Sequence, residues 1–540
     1  MRPVTMKPKP KPVMWLDATT GRGVTLDGRS VSTVIKSRHR TPQLDDLLDT
    51  AAHAGVEWIM LTGAEPRTPK DRQSWMDTPT PGWAHGEHYR RDDKRGRYTN
   101  TLTGQKVEIS MASTWFGDVI LSPVQASHAW GALRYYLNRV EPEMATPLMS
   151  PGLTGAILWA FSVTERKGTR FDPEPVSDAV AELLHASSGQ HHMEHLVAGP
   201  NASEHPDTVA LVDSRQTPTI DTFAHSDGRF MYAAHCAELG VGPATELTYE
   251  QANDLWFFQG SAGRYAKARY RVRFRVPDTW PHVGILGVQD PGSSRDWYYP
   301  NRPGATGVTW ADHRELLVAE RFGWGIEPLE GIRFTEKLRP LDTFAERIKR
   351  LRAQVADAEA EPVVKRAVLN ALRNILIHGI GRFVMRGKES PLSVDHVDDL
   401  PPNVEYEQVG DRFVYSARPE LSAADRSRYH PELASQVWGW SRAQVLSAPS
   451  PVPGTQGRYA GALHVDPRTL LGIEGDAIYT STVPGWSLPA GHGGGDDGRE
   501  GRIRLQGLLL GEMKIPVTKD QRDALKKKAA VAGPSAAWGA

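Results

Sequence analysis

Cysteine is nearly absent: Cys236 is the only one in 540 residues, which excludes a disulfide framework and a cysteine-rich zinc site. Net charge is absent too. Lys+Arg and Asp+Glu both number 64, so no global field draws the chain to nucleic acid, and any cationic surface has to be local. No apolar run approaches the ~20 residues that span a bilayer, and the opening MRPVTMKPKPKP lacks the apolar core of a secretory signal. These absences point to a reducing cytoplasm and no membrane partner. What the chain does have is length, enough for two to four domains that each bury a core.

The expected organisation follows from periodicity and breakers. Residues 1–12, rich in Pro and Lys, read as a disordered tail before a strand at Val13–Asp17. An amphipathic helix at Leu44–His53 and a buried strand at Val56–Thr62 suggest an α/β layer. The polar stretch 66–104 reads as a long loop or insertion, after which Val119–Leu121 and a helix over Ala126–Asn138 resume the domain. Turn formers at 198–207 mark an interdomain linker. Beyond it the sequence predicts strands near Phe230–Ala233, Ala268–Val276 and Gln408–Ala417, and helices over Asp342–Ala358, Glu361–Gly379 and Glu432–Ser447. The helix at 361–379 has Pro near its start and Gly at its end, as helix boundaries often do. The last residues read as a flexible tail.

Three segments carry chemistry. Leu471-Gly-Ile-Glu-Gly-Asp-Ala-Ile-Tyr-Thr480 puts Glu474 and Asp476 two apart on an expected strand, hence on one face. Such a pair suits a divalent cation at a hairpin, and a solvated acidic hairpin satisfies the same pattern. Ser226-Asp227-Gly-Arg-Phe-Met-Tyr232 places an acid before an apolar run with a tyrosine five positions on. The 361–379 helix carries Lys365 and Arg373 eight apart, within about 80° of each other. That flank can grip a polyphosphate or simply be solvated. Further on, Lys267-Ala-Arg-Tyr-Arg-Val-Arg-Phe-Arg275 fits a strand with one basic face, suited to phosphate contacts. Trp438 and Trp440 read as core or as base-stacking platforms.

The order of these segments resembles motifs A, B and C of the family B DNA polymerases, in particular the protein-primed branch of phages and linear plasmids, including divergent polymerase-like proteins of actinobacterial phages. Asp227-Gly-Arg-Phe-Met-Tyr232 keeps the Asp-to-Tyr spacing of motif A while losing its Ser and Pro. Arg373 through Gly381-Arg-Phe383 keeps the basic residue and the Gly-basic-Phe of motif B, with Ile377 and Ile380 at the Asn and Tyr positions. Glu474-Gly-Asp476-Ala stands where motif C has Asp-Thr-Asp-Ser.

The resemblance implies an α+β fold. Its palm, an antiparallel sheet with helices, would take residues 221–340 and, with a short thumb, 401–517. Helical fingers at 341–400 and a ribonuclease-H-like exonuclease domain at 13–200 complete it, leaving 518–540 as a tail. Template-directed nucleotidyl transfer needs two divalent ions near the primer hydroxyl and the triphosphate, and oxygen ligands suit Mg²⁺ or Mn²⁺. Asp227 and Asp476 are the expected metal ligands, with Glu474 as a supporting or water-mediated one. Arg373, then Lys365, would hold the triphosphate. By resemblance, Tyr232 would pack under the sugar, and Lys514 would reach primer phosphate or nucleotide. The implied partners are primer–template DNA and dNTPs, with a terminal protein or other replication proteins, in the cytoplasm of a bacterial host. Asp17 has no Glu two residues on, and Asp118 is the next acidic candidate, so the exonuclease-like domain is expected to be degenerate. The alternative is a catalytically silent polymerase-like nucleic-acid-binding protein.

Overall fold

The structure, a computed structural model, describes residues 8–537 except 37–40, 67–74, 86–94, 145, 164, 167–168, 171–174, 189–193, 197–204, 261–265, 291–296, 387–389, 402–403, 418–419 and 451–458. Most of the expected N-terminal tail and of the 198–207 linker therefore lie outside the described residues. The fold is α+β, in two compact units: an N-terminal unit of Arg2–Thr164 with Thr343–Arg428, and a C-terminal unit of Glu165–Asp342 with Tyr429–Ala540. The break falls some thirty residues before the expected linker, because the helix α5 (Asp178–Ser187) packs on elements of the C-terminal unit.

The N-terminal unit begins with β1 (Val13–Asp17), β2 (Arg22–Thr25), β3 (Ser30–Ser32), α1 (Leu44–Ala54) and β4 (Trp58–Thr62). Next come β5 (Trp83–His85), β6 (Arg95–Asn100), β7 (Lys106–Met111), α2 (Ser113–Phe116), α3 (Pro123–Val140) and α4 (Pro151–Ser162). The seven strands form one sheet in the order β3-β2-β1-β4-β7-β6-β5, with β1, β4 and β7 parallel. Strands β5 and β6 come from the stretch expected as loop; their polar residues suit the outer edge of a sheet, where one face stays wet. Leu44, Leu47, Leu48 and Ala51 of α1, spaced three and four apart, pack with Met14, Leu16, Ile59 and Leu61. On α3, Trp130 meets Trp15, Trp58 and Trp115 at centroid distances of 6.5, 5.2 and 5.0 Å. Asp17 ends β1 with its carboxylate accepting from the Thr19 and Thr20 amides at 3.0 and 2.7 Å, a turn-capping role. Asp118 lies exposed after α2.

The C-terminal unit continues from α5 with β8 (Glu194–Leu196), β9 (Thr219–Gly228), α6 (Met231–Ala234), β10 (Leu239–Leu247) and β11 (Ala268–Arg275). It goes on to β12 (Thr306–Asp312), α7 (His313–Arg321) and β13 (Gly325–Leu338). The strand expected at Phe230–Ala233 lies earlier, at β9. Gly228 ends it, and Phe230 at φ 48, in the left-handed region, turns the chain into α6. An antiparallel sheet runs β10-β13-β11-β12. On β11, Tyr270, Val272 and Phe274 enter the core, while Arg271, Arg273 and Arg275 face out. The expected phosphate-binding face is offset by carboxylates: Arg271 pairs with Glu330 at 3.0 Å, Arg273 with Glu327 at 2.6 Å and Arg275 with Asp278 at 2.7 Å. Arg269 is buried and donates to Ser187.

Residues 343–428 return to the N-terminal unit as α8 (Asp342–Asp357), α9 (Pro362–Arg382) and a three-stranded sheet of β14 (Ser390–Val394), β15 (Tyr406–Val409) and β16 (Arg412–Ala417). The helix α9 runs through Gly379, which was expected to stop it. Gly379 is a crossing point: a Cβ there would lie 3.1 Å from the Gly155 Cα of α4, and one on Gly155 would lie 2.1 Å from the Ile375 carbonyl oxygen. Asn370 and Asn374 donate to the Phe116 and Trp115 carbonyls at 3.0 and 3.1 Å, satisfying the end of α2.

The C-terminal unit closes with α10 (Pro431–Leu446), β17 (Leu470–Glu474), β18 (Ala477–Thr480), β19 (Ile503–Lys514) and α11 (Lys519–Ala532). A five-stranded sheet runs β8-β17-β18-β9-β19. Trp438 and Trp440 of α10 are core residues, 5% and 3% exposed. A buried pair at 1–2% side-chain exposure, Arg442 on α10 and Glu315 on α7, joins at 2.8 and 2.9 Å. Helix α11 replaces part of the expected tail; Thr518 caps it by accepting from the Gln521 amide.

Candidate active site

The expectation that Glu474 and Asp476 share a strand face fails on register. Glu474 ends β17 opposite Ala477, so Gly475 and Asp476 form a two-residue turn, with Gly475 at φ 57. A side chain in a turn is released from strand alternation, so the two carboxylates go to different places. Asp227, near the end of β9, lies opposite Ala477 on one side and Arg504 of β19 on the other. The Gly228 amide donates to the Asp476 carbonyl at 3.0 Å, and a Cβ on Gly228 would stand 3.0 Å from Asp476 Oδ2. The structure thus sets the Asp476 carboxylate against Gly228, the residue after Asp227 in β9, and the missing Cβ of Gly228 leaves the room for it. Both aspartates are partly exposed.

Glu474 is held elsewhere. Its Oε2 accepts from Tyr479 Oη and Lys526 Nζ, both at 2.8 Å, with Arg522 Nη2 at 3.4 Å. Burial alone would raise its carboxyl, but Lys526, Tyr479 and Arg522 outweigh burial and hold it at about 2. The charge of Glu474 is therefore spent on α11, which fastens the hairpin to the end of the chain. Beneath Asp227, His225 stacks on Tyr479 at 5.2 Å and 24°. Burial pushes His225 down to about 4, so the ring is neutral at pH 7.

The loop after Asp227 is fixed on both sides. Arg229 grips Asp496 through two hydrogen bonds of 2.6 and 3.1 Å, and the Arg229 amide donates to the Arg502 carbonyl at 2.6 Å. Tyr232 follows on α6, partly buried against the core of the unit. Lys514, in contrast, pairs with Thr219, at the other end of β9 from Asp227. Eight residues of strand, about 26 Å, separate those positions, too far for one nucleotide to touch both. Of the two expectations for Lys514, contact with a nucleotide held at Asp227 is excluded by that distance and contact with primer phosphate is not, while Arg504 is the β19 residue paired with Asp227.

Arg373 and Lys365 stand on α9 of the N-terminal unit. Lys365 Nζ donates to the Ala358 carbonyl at 3.2 Å and closes the α8–α9 turn. Arg373 is partly exposed, and its guanidinium has no hydrogen bond or ion pair among the described residues.

Sequence reasoning missed Arg504, Lys526 and Arg522. Cross-strand register, which selects Arg504, is not written in local sequence. The other two had a signal: Arg522 and Lys526 are four apart in a run of helix formers, hence neighbours on one face. No group of three or more His, Cys, Asp or Glu arranged to hold a metal occurs among the described residues. Two carboxylates nevertheless fit Mg²⁺, which is commonly bound by one or two carboxylates, substrate phosphates and water.

No protein-family model and no curated protein matches the sequence. Among solved structures, the orthorhombic crystal form of Phi29 DNA polymerase matches over 93% of this chain and 85% of its own, with a TM-score of 0.51 and 9% identity. The ternary complex of Phi29 DNA polymerase with primer–template DNA and incoming nucleotide substrates matches over 94% and 86%, with a TM-score of 0.50 and 9% identity. Over nearly its whole length, then, the chain is similar in fold to Phi29 DNA polymerase, as the order of its three motifs suggested.

Proposed function

We propose that the chain is a template-directed DNA polymerase of family B type, serving replication of a phage or mobile element in a bacterial cytoplasm. The observation that supports this reading is the closeness of the two aspartate-bearing segments in the five-stranded sheet, where the Gly228 amide, next to Asp227, donates to the Asp476 carbonyl at 3.0 Å. In this reading that sheet is the palm, α8 and α9 are the fingers, and the seven-stranded sheet is an exonuclease-like body without a complete nuclease site.

Asp227 and Asp476 would hold Mg²⁺ or Mn²⁺, which lowers the barrier by neutralising charge on the attacking and leaving oxygens. Tyr232 would bound the sugar. Glu474 would anchor the hairpin through Lys526 rather than take a metal. Primer–template DNA and dNTPs are the substrates, as in the Phi29 polymerase complex, with a terminal protein or other replication proteins as further partners.

The second reading, a catalytically silent nucleic-acid-binding protein, is favoured by the isoleucines at the motif B positions and by the engagement of Glu474. Incubating the protein with a primed template, dNTPs and Mg²⁺ or Mn²⁺ separates the two. Template-dependent extension supports the polymerase; salt-sensitive DNA binding without any incorporation supports the silent binder.

A further inference from the structure

A cleft of ≈ 520 Å³ opens between α7 and α10, lined by neither Asp227 nor Asp476, and two arginines line it. Arg314 and Arg321 are seven residues apart on α7, so they share one face within ~20° and stand about 10.5 Å apart along its axis. Each is steadied by an aromatic ring. Arg314 stacks over Trp440 at 4.0 Å, and Arg321 stacks over Tyr459 at 4.6 Å while donating to Ser447 Oγ at 3.1 Å. Among the described residues no carboxylate pairs with Arg321. His464, whose Nε2 lies 2.8 Å from the same Ser447 Oγ, is neutral at pH 7, pushed down to about 4 by burial and by Arg321.

The rest of the cleft is mixed. Leu317, Val318 and Ala443 give it apolar wall, and Gln444 and Glu320 give it amide and carboxylate. Guanidiniums fixed on aromatic rings suit phosphate oxygens, the apolar wall suits a base, and Glu320 suits ribose hydroxyl donors. The volume lies in the range of small-molecule sites and is that of a mononucleotide rather than of a strand.

We propose that this cleft binds a free nucleoside phosphate, at a site separate from the Asp227–Asp476 pair and independent of any polymerase activity. The occupant would place its phosphates between Arg314 and Arg321 and its base against Leu317 and Ala443. One end of the cleft is joined to the carboxylate loop: Gln444 donates to the Gly501 carbonyl at 2.6 Å, and the Gly501 amide donates to the Arg229 carbonyl at 2.8 Å.

The test is a fluorescence titration of the full chain with methylanthraniloyl-ATP in EDTA, where a metal-dependent site takes no triphosphate. Saturable binding is expected, displaced by ATP, unchanged in the Asp227→Asn/Asp476→Asn double variant, and weakened about tenfold or more by Arg314→Gln or Arg321→Gln. Both arginines are exposed, so their variants should melt as the wild type does; if one does not, the corresponding Lys variant, which keeps charge but loses the fork, should still bind more weakly. The proposal is overturned by absence of saturable binding at millimolar nucleotide or by arginine variants that bind normally. Loss of binding in the aspartate variant, or displacement by a short oligothymidylate and not by ATP, overturns it equally.

Discussion

Glu474 and Asp476 are two residues apart and do different work, because a turn separates them. Asp476, released from the strand, lies against Gly228, the residue after Asp227, whereas Glu474 is fastened to Lys526 and Tyr479. Two predictions follow at this scale. Gly228→Ala puts a Cβ 3.0 Å from Asp476 Oδ2 and 2.7 Å from Met231 Cε, so it should lower the extension rate at least about tenfold and cost about 1–3 kcal/mol of stability, read by single-turnover kinetics beside a urea melt. Glu474→Gln removes a carboxylate whose folded value, about 2, lies below its ordinary one. The stability it supplies is fully present above about pH 4.3 and is lost as pH falls through 2. The wild-type advantage over Glu474→Gln, about 1–3 kcal/mol at pH 7, should narrow by pH 3 in chemical denaturation. An unchanged gap would assign the advantage to packing instead.

Among the elements, two glycines on different helices make opposite predictions. Gly155 and Gly379 let α4 and α9 touch backbone to backbone, so Gly155→Val should cost about 2 kcal/mol or more in thermal unfolding. Gly381, two residues further along α9 than Gly379, has nothing within 4 Å of its would-be Cβ, so Gly381→Ala should stabilise by about 0.5–1 kcal/mol. The same pair shows what was legible. Amphipathic period and capping residues fix α1, α3, α8 and β1 to within a few residues, because those signals are local. Gly379 carries the letter of a helix stop, yet its reason is a neighbour over two hundred residues away. Helix α11 was written in Thr518 and the Lys/Ala run after it, but a run so rich in exposed lysine also reads as tail. The candidate site was legible in its aspartates and their order. Its register was not: Lys514 and Arg504 share one strand, and only pairing with β9 shows which of them faces Asp227.

For the molecule as a whole, pH acts through buried histidines of the C-terminal unit. Burial is the largest cause that pushes His235 down to about 3 and His464 down to about 4. Unfolding exposes both to their ordinary value near 6.5, so the unfolded chain binds more protons below it. Their contribution is complete above about pH 6.5 and is lost progressively toward pH 4, and denaturation midpoints should fall between pH 7 and pH 5 with net proton uptake on unfolding. The whole fold also frames the central claim, since a Phi29-like architecture can be retained with or without chemistry. The deciding measurement is single-turnover primer extension in Mg²⁺ or Mn²⁺ by the wild type, Asp227→Asn, Asp476→Asn and Glu474→Gln. Extension by the wild type and Glu474→Gln, with loss of about a thousandfold or more in either aspartate variant, is the predicted result. Extension that survives both aspartate variants, or none by a wild type that still binds DNA, would contradict it.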